Sequence, residues 1–343
     1  MKRASVAALA AMLCITTVTA FTSADTIGVM DNPFTYFNLY SLGDIGSASA
    51  PYQGEVFGRA GAAGNASLSS FVLLNMPSQA GWALHVGGSA SIEGTYLGGI
   101  DAGGSVALGG VGISGGVQAG GSVTQFGGGA IGGSVAAGGS AQLDQTMTVY
   151  GQTLSGQQYS PLVDHQAVSK YFLKTSADIG RMRPTGDFTE DWGHITFIGG
   201  AGVNVVTIDG QQLRDASHVA IDAPEGAVVY INVLEADVSL DWTGWEYTGG
   251  IGPRDVLLNM PYALSLELSS TNAVNILAPL AATDFQAGLV AGTLVVGSLQ
   301  GDGRVNMGSF GHGGLVPEPA SILLLAGGAG AALLRRRRTV ATR

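Results

Sequence analysis

The sequence predicts a mostly β fold: an irregular parallel β-helix, or β-solenoid, with short strands, glycine-rich turns and one covering helix at about 161–180. Glycine supplies 55 of the 343 residues, and only 12% of the residues are charged. Hydrophobic residues make up 46% of the chain, which separates it from disordered sequences of low hydrophobicity and high charge. Small side chains carry much of that fraction, and a core of small side chains favours thin, repetitive β-structure over a helical bundle.

A glycine-rich array at 87–139 is the most regular part of the chain. It holds 21 glycines in 53 residues, and its only charged residues are Glu93 and Asp101. A flexible linker would lack the interleaved Val, Ile and Leu, collagen would place Gly at every third residue, and a calcium-binding β-roll would carry repeated aspartates. We therefore expect short strands such as SVAL and SVAA to stack between tight turns, where Gly permits positive φ and close approach of two backbones. The recurring GGSV and GGSA tetrapeptides mark those turns.

A single helix is predicted inside the segment 144–195, which interrupts the β pattern. Ser160-Pro161 has the form of an N-cap followed by Pro at the first helical position. Val168, Phe172 and Ile179 then recur at roughly helical spacing. We expect this helix to cover a face or an open end of the solenoid.

Strand patterns return from Ile195 onward, with turn dipeptides at Asp209-Gly210 and Glu225-Gly226. The hexapeptide VLLNMP occurs at Val72–Pro77 and again at Val256–Pro261. This repetition indicates equivalent corners in two halves of the solenoid.

The two ends have the composition of export signals. Lys2 and Arg3 precede an apolar stretch with small residues at its end, which is the layout of a secretory signal peptide covering 1–23. The only cysteine, Cys14, lies inside that stretch, so the exported chain is expected to lack disulfides. Removing 1–23 and 317–343 takes away seven of the 15 basic residues and one of the 25 acidic residues, leaving a formal charge of −16. A chain this acidic is a poor nucleic-acid binder, and it would bind an acidic polysaccharide only through bridging divalent cations.

The C-terminal segment 317–343 combines a Pro-Glu-Pro motif, a fourteen-residue apolar run and a cluster of arginines. The run is short for a spanning helix, which needs about 20 residues, and the arginines would stay on the cytoplasmic side. A plain tail anchor is one interpretation. The tail also resembles the PEP-CTERM sorting signal of Gram-negative bacteria, which implies processing by an exosortase after transient anchoring in the inner membrane. The residues that carry this resemblance are Pro317, Glu318, Pro319, Arg335, Arg336, Arg337 and Arg338.

The chain between these signals, 24–316, is similar to the choice-of-anchor A domain. FNLYSLGDI near Phe37, GEVFGRAGAAGNASL at 54–68 and the run from Asn275 to Phe310 carry the resemblance, in the same order as in that family. The resemblance covers roughly residues 34–311. It implies a secreted or surface adhesin-like module and transfers no catalytic residues to this chain.

Few residues have the pattern of a chemical site. The five histidines, at 85, 165, 194, 218 and 312, lie outside any dense cluster of ligating residues, so no metal site and no cofactor are predicted. Asp241, Trp242, Trp245 and Tyr247 form the richest cluster of aromatic and acidic residues, and such a cluster suits sugar rings. The alternative is a hydrophobic cap on the solenoid, because large aromatic side chains are valuable core in a chain of small residues.

These observations lead to the hypothesis of an exported, non-enzymatic surface or matrix protein. It would act as an adhesin-like or structural module in an exopolysaccharide biofilm or floc, with an unidentified polysaccharide or matrix protein as its partner. The alternative is a lyase or hydrolase that acts on matrix glycan, since parallel β-helices host such enzymes. Ice binding is set aside, because flat solenoid faces that bind ice carry regular threonine rows and the array has essentially Thr95 and Thr124.

Overall fold

The computed structural model describes residues 32–70, 72–74, 81–241, 244–306 and 308–312, and every structural statement below concerns these ranges. They form a β-solenoid whose strands are short and stack in parallel, which confirms the predicted fold class. The predicted signal peptide and the sorting tail with its Pro-Glu-Pro and arginines lie outside the described residues.

The first sheet has 14 strands. They are β1 (Leu39–Ser41), β3 (Ala60–Ala62), β6 (Trp82–Val86), β9 (Gly99–Ala102), β12 (Val117–Ala119), β15 (Val135–Ala137), β18 (Thr153–Leu154), β21 (Val203–Ile208), β23 (Val228–Val233), β24 (Asp237–Leu240), β26 (Val256–Asn259), β27 (Ser265–Leu268), β29 (Asn275–Phe285) and β31 (Leu294–Gly301). Strands β29 and β31 are long because both turn a corner, where their register shifts between Ala278 and Ala282.

Three further sheets complete the coils. The second sheet contains β4 (Ala66–Ser69), β7 (Ala90–Glu93), β10 (Val106–Gly109), β13 (Val123–Phe126) and β16 (Ala141–Gln142). The third contains β2 (Glu55–Phe57), β5 (Val72–Leu74), β8 (Tyr96–Leu97), β11 (Gly112–Ile113), β14 (Gly129–Ile131), β17 (Met147–Val149), β28 (Thr271–Asn272), β30 (Leu289–Val290) and β32 (Arg304–Val305). The fourth contains β19 (Phe188–Asp191), β20 (His194–Ile198), β22 (His218–Asp222) and β25 (Gly244–Thr248), and β19 pairs antiparallel with β20.

The chain does not wind from one end of the solenoid to the other. Along the first sheet the strand order is β18-β15-β12-β9-β6-β3-β1-β31-β29-β26-β23-β21, so the first strand lies at mid-length beside the last long strand. Leu39 of β1 pairs with Ala60 on one side and with Leu294 on the other. The N-terminal coils therefore run outward to β18, and the C-terminal coils begin at the opposite end and run back to the middle.

Three helices accompany the coils: α1 (Pro33–Tyr36), α2 (His165–Gly180) and α3 (Gly210–Asp215), with a 3-10 turn at Pro253–Asp255. Helix α2 confirms the predicted covering helix, and its buried Val168, Phe172 and Ile179 pack on the outer face of the first sheet. The expected start at Pro161 was wrong. Asp164 is the N-cap, accepting a bond from the Ala167 N–H at 3.0 Å, because tertiary hydrogen bonds hold the preceding residues outside the helix.

Buried polar side chains fasten α2 to the sheet. Asn259 donates to the Ser176 carbonyl (3.0 Å) and to Asn232 Oδ1 (2.8 Å), and it accepts from the Ser176 hydroxyl (2.6 Å). Asn232 in turn donates to the Ile179 carbonyl at 3.1 Å. These bonds satisfy side chains that would otherwise be costly to bury.

Glycines serve two different corners for two different reasons. Between the first and second sheets, a Cβ on Gly103 would lie 2.2 Å from the Gly87 carbonyl oxygen, and one on Gly120 would lie 2.2 Å from the Gly103 oxygen. Between the second and third sheets, Gly110 has a φ of +58°. Close approach and positive φ, both expected from the sequence, are thus separate at these two corners, whereas Gly129 combines a φ of +150° with a Cβ position 2.1 Å from the Val111 carbonyl oxygen.

Two other local predictions were wrong. The first VLLNMP copy contributes β5 to the third sheet, whereas the second contributes β26 to the first sheet, so the copies do not occupy equivalent corners. Asp209-Gly210 is a helix start rather than a turn, because the Asp209 carboxylate and the Gln212 side chain form a capping box for α3. Gly226 has a φ of +78° in the predicted turn.

Candidate binding surface

The outer face of the first sheet is closed on both halves of the molecule. Helix α2 covers the C-terminal strands, where it meets β23, β26 and β29. The connecting segment 155–164 crosses the N-terminal strands on its way from β18 to α2. An extended ligand would therefore have to meet another face.

A buried carboxylate holds the connecting segment in place. Asp101 is 1% exposed and accepts bonds from the Leu162 N–H (3.1 Å) and the Tyr159 hydroxyl (3.0 Å). His85 Nδ1 lies 3.5 Å from the same carboxylate, and the Gln118 amide donates to the Ser160 carbonyl at 2.6 Å. From the sequence, Asp101 stands out only as one of the two charged residues of the array. The sequence feature that could have identified this site is the spacing of its residues. Positions 85, 101 and 118 are one coil apart, as are the GGS turns at 87, 103 and 120.

Burial affects the titration of the groups around this carboxylate. It raises the pKa of Tyr159, and the negative charge of Asp101 adds to the effect. Burial, followed by the like charge of His85, lowers the pKa of His165 to about 4, against opposing contributions from Asp101 and Asp164. His165 Nδ1 lies 3.1 Å from the Tyr40 hydroxyl, so this neutral imidazole is part of the packing beneath α2.

The outer face of the second sheet, which belongs to the N-terminal half of the solenoid, is open, and we call it the serine face. Ser67, Ser91, Ala107 and Thr124 are in register on adjacent strands and point outward. The residues on either side of them in each strand, such as Val106 and Leu108, are buried in the interior. Small outward side chains thus repeat once per coil, at about the 4.8 Å spacing of neighbouring strands.

A ladder of short polar side chains borders the serine face. The Asp44 carboxylate accepts the Asn65 N–H at 2.6 Å, and the Asn65 side-chain oxygen accepts the Ser89 N–H at 2.9 Å. The next three bonds follow the same rule, with each Ser Oγ accepting the backbone N–H of the serine one coil further on: Ser89 to Ser105, Ser105 to Ser122 and Ser122 to Ser140, at 3.1–3.2 Å. The third residue of each GGS turn therefore supplies a side-chain hydrogen bond between coils.

The serine face and its ladder line a shallow trough of about 480 Å³. Its lining is made of small side chains and carries one charged residue, Asp44. The floor is stiff, because the ladder and the parallel strands bind each coil to the next. The equivalent outer surface in the C-terminal half is acidic instead, with Asp237, Asp241 and Glu267 around Arg214. One open face is thus divided into a neutral half and an acidic half.

A family model described as "Putative Ice-binding-like adhesive domain" matches residues 31–307. The match covers most of the chain and contains every coil of the solenoid. The chain belongs to this adhesive family. No curated protein and no solved structure matches it.

The adhesive domain places the residues of the predicted carbohydrate contact on different surfaces. Trp245 and Tyr247 pack against the solenoid interior: Trp245 Nε1 donates to Asn272 Oδ1 at 3.3 Å, and the Tyr247 hydroxyl donates to the Ala273 carbonyl. Burial raises the pKa of Tyr247. Asp241 lies in the acidic half of the open face and accepts from the Ser239 hydroxyl at 2.7 Å, and Trp242 lies outside the described residues. Sugar binding at these residues stays a prediction.

Two exposed aromatic rings of the adhesive domain were not singled out from the sequence. Tyr96 is 72% exposed and Phe126 is 58% exposed. Each ring lies across a glycine of a neighbouring strand. A Cβ on Gly112 would be 2.5 Å from Tyr96, and one on Gly109 would be 2.7 Å from Phe126. The sequence feature that could have identified these rings is an aromatic residue in register with a glycine of the neighbouring strand.

His218, Glu246 and His194 form a surface contact on the fourth sheet. His218 Nε2 lies 2.9 Å from the exposed Glu246 carboxylate, beside His194, whose ring centroid is 5.6 Å away. Across the described ranges, no group of three or more His, Cys, Asp or Glu side chains is placed to hold a metal ion. Within the same part of the chain, no helix is both long enough and apolar enough to cross a membrane.

Proposed function

We propose that this protein is an exported, non-enzymatic adhesin that binds matrix polysaccharide along its serine face. The observation that carries the proposal is the open, stiff and nearly uncharged trough, in a chain that belongs to an adhesive family. Its resemblance to choice-of-anchor A domains supports the same surface role.

The trough suits a neutral, hydroxyl-rich chain. Ser67, Ser91 and Thr124 present hydroxyl groups that can both donate and accept hydrogen bonds. A polysaccharide lying across the strands would meet the same small contacts coil after coil. Each contact is weak, so affinity would come from their number. The acidic surface of the C-terminal half would repel polyanions, which favours a neutral glycan.

The test compares two matched variants of the mature protein. Ala107→Arg places a long cation in the middle of the trough, and Ala130→Arg places one on the third sheet, where Ala130 also points outward and is partly exposed. We expect Ala107→Arg to weaken binding to the cell's own matrix polysaccharide about tenfold or more, and Ala130→Arg to bind as the native protein does. Equal binding by both variants, with unchanged melting temperatures, would move the site away from the serine face.

The alternative function is glycan cleavage. The same polysaccharide, incubated with the native protein, is assayed for new reducing or unsaturated ends. We expect binding without turnover. Turnover that disappears in Asp241→Asn or Glu246→Gln would establish an enzyme instead.

We further propose that the tail is a sorting signal, with Pro317-Glu318-Pro319 read by an exosortase and Arg335–Arg338 retained in the cytoplasm until cleavage. The support is the order of its three parts in the sequence. Intact mass and fractionation of cell-derived protein test it. Loss of both ends, with protein in the matrix or medium, is the expected result, whereas a membrane-bound chain that retains the arginines would make the tail a plain anchor.

A further inference from the structure

One end of the solenoid is open. Strands β16, β17 and β18 belong to a single coil, and each is the terminal strand of its sheet. Their outer edges therefore have no neighbouring strand among the described residues. The side chains of this coil that pack against the interior are only partly buried, unlike those of the coils before it: Ala141, Leu143, Met147 and Val149.

The neighbouring coil shows what these side chains lack. Val123, Ile131 and Val135 occupy the corresponding inward positions one coil away, and all three are fully buried. Val149 pairs in register with Ile131, so it has a neighbour on one side only. The open end thus presents an apolar centre surrounded by three strand edges.

The opposite end is closed. Helix α3 packs against β24 there, with Leu213 fully buried. The antiparallel strand β19 covers the edge of β20. The two ends are therefore not equivalent: among the described residues β21 and β19 also end their sheets, but α3 and β19 cover the apolar interior at this end.

The open end also lacks the features that normally protect strand edges. Proteins block such edges with Lys, Pro, bulges or a covering element. The segment 140–159 contains no Lys, Arg or Pro, and its only charged residue is Asp144. In a chain whose processed form carries a formal charge of −16, this end is a nearly neutral surface. It is thus a surface on which a second copy meets little charge repulsion.

With the proposed processing, which this step assumes, the terminal segments that remain outside the described residues are too short to cover this end. Six strand spacings separate β1 from β18 along the first sheet, or about 29 Å. The eight residues at 24–31 span about 27 Å when fully extended, and the four at 313–316 span about 14 Å. Neither segment reaches the end and also covers it.

We propose that the open end docks against the open end of a second copy of this chain. A two-fold axis would set the terminal strands of the two copies antiparallel and bury Val149 and Met147 of both. Because the opposite end is closed, the assembly would stop at two copies rather than grow into a fibre. The dimer would leave the serine faces of both copies free.

The experiment measures the mass and shape of the mature protein over a wide concentration range, by light scattering and small-angle X-ray scattering. We expect a monomer–dimer equilibrium whose dimer is about twice as long as the monomer. The twelve stacked strands of the first sheet give each monomer a length of about 53 Å along its axis. Val149→Lys should weaken the dimer about tenfold or more, because it would bury an unpaired charge. Thr124→Lys, outward and exposed on the neighbouring coil, should leave it unchanged.

Met147→Lys is a second variant of the same surface, and it keeps the test valid if Val149→Lys does not fold. Two results would overturn the proposal. One is a mature protein that stays monomeric up to millimolar concentration. The other is a dimer that both lysine variants form as readily as the native chain does. Neither result depends on glycan binding, so the proposal stands or falls separately from the adhesin function.

Discussion

Replacing the buried Asp101 carboxylate by an amide should release the connecting segment and destabilise the whole domain. In the native protein two good donors, the Leu162 N–H and the Tyr159 hydroxyl, reach different oxygens of Asp101 at 3.1 and 3.0 Å. Asn can present an oxygen to only one of them. Its NH₂ group must then face the other position. It cannot bond the Leu162 N–H, but facing Tyr159 it can donate to the hydroxyl oxygen, so both contacts persist only as neutral hydrogen bonds.

The magnitude follows from these contacts. A hydrogen bond to a charged group contributes about 1.5–3 kcal/mol, and an unsatisfied buried donor costs about 1–3 kcal/mol. A neutral hydrogen bond contributes about 0.5–1.5 kcal/mol, so two bonds that lose the charge of Asp101 predict that Asp101→Asn lowers the free energy of unfolding by about 2–3 kcal/mol. Glu93→Gln is the matched control, because Glu93 is the other acid of the array and is exposed. We expect that control to change stability by less than about 0.5 kcal/mol.

Urea unfolding followed by circular dichroism measures both variants, and limited proteolysis of the segment 155–164 measures local release. We expect faster cleavage in Asp101→Asn at a urea concentration where both variants are still folded. If Asp101→Asn and Glu93→Gln unfold at the same urea concentration, the carboxylate does not hold the segment, and the reasoning from its hydrogen bonds is refuted.

Three further predictions concern other parts of the fold. Gly120→Ala should lower the unfolding free energy by about 2 kcal/mol or more, because its Cβ would lie 2.2 Å from the Gly103 carbonyl oxygen. Gly200→Ala is the control, because a Cβ there would meet nothing within 4 Å. Equal melting temperatures of the two variants would contradict this prediction. Ser122→Ala should cost about 1 kcal/mol in urea unfolding, because it leaves the Ser140 N–H without its acceptor, and no loss at all would show that solvent replaces the ladder. The folded-state pKa of His165, about 4, lies below the ordinary value of 6.5. Between pH 6.5 and pH 4 the unfolded chain therefore binds a proton that the folded chain does not. The unfolding free energy falls as pH falls through that window, by up to about 3 kcal/mol. In His165→Gln the unfolding free energies at pH 7 and pH 4.5 should differ by much less than in the native protein, and an unchanged difference would assign the pH dependence to other groups.

The solenoid could be predicted because glycine pairs in the sequence mark its corners. Gly-Gly pairs at short, regular steps are needed where adjacent backbones come within contact distance, as at Gly103 and Gly120. The covering helix was predictable for a similar reason, since Val168 and Phe172 repeat at the spacing of one helical face. Both signals are local, and each reflects a steric or packing requirement within one coil or one helix.

The order of the coils could not be predicted. Short runs of Val, Ala and Gly pair equally well with many partners, so nothing local shows that β1 lies beside β31 rather than at an end. The helix start was missed because tertiary bonds from Asp101 and Gln118 outweigh the local Ser-Pro signal. The VLLNMP copies misled because a short apolar strand fits more than one sheet. In each case the deciding contact joins residues far apart in the chain.

The mid-length position of β1 determines where the chain leaves the body. Phe34 and Phe310 pack against each other with ring centroids 5.4 Å apart, and both are buried under α2. Until the proposed cleavage, a tail that continues from residue 312 would hold the domain at mid-length, on the side already covered by the helix. Held in this way, the solenoid would lie with its long axis parallel to the membrane that holds the tail. Its serine face and its open end would then extend sideways from the point of attachment.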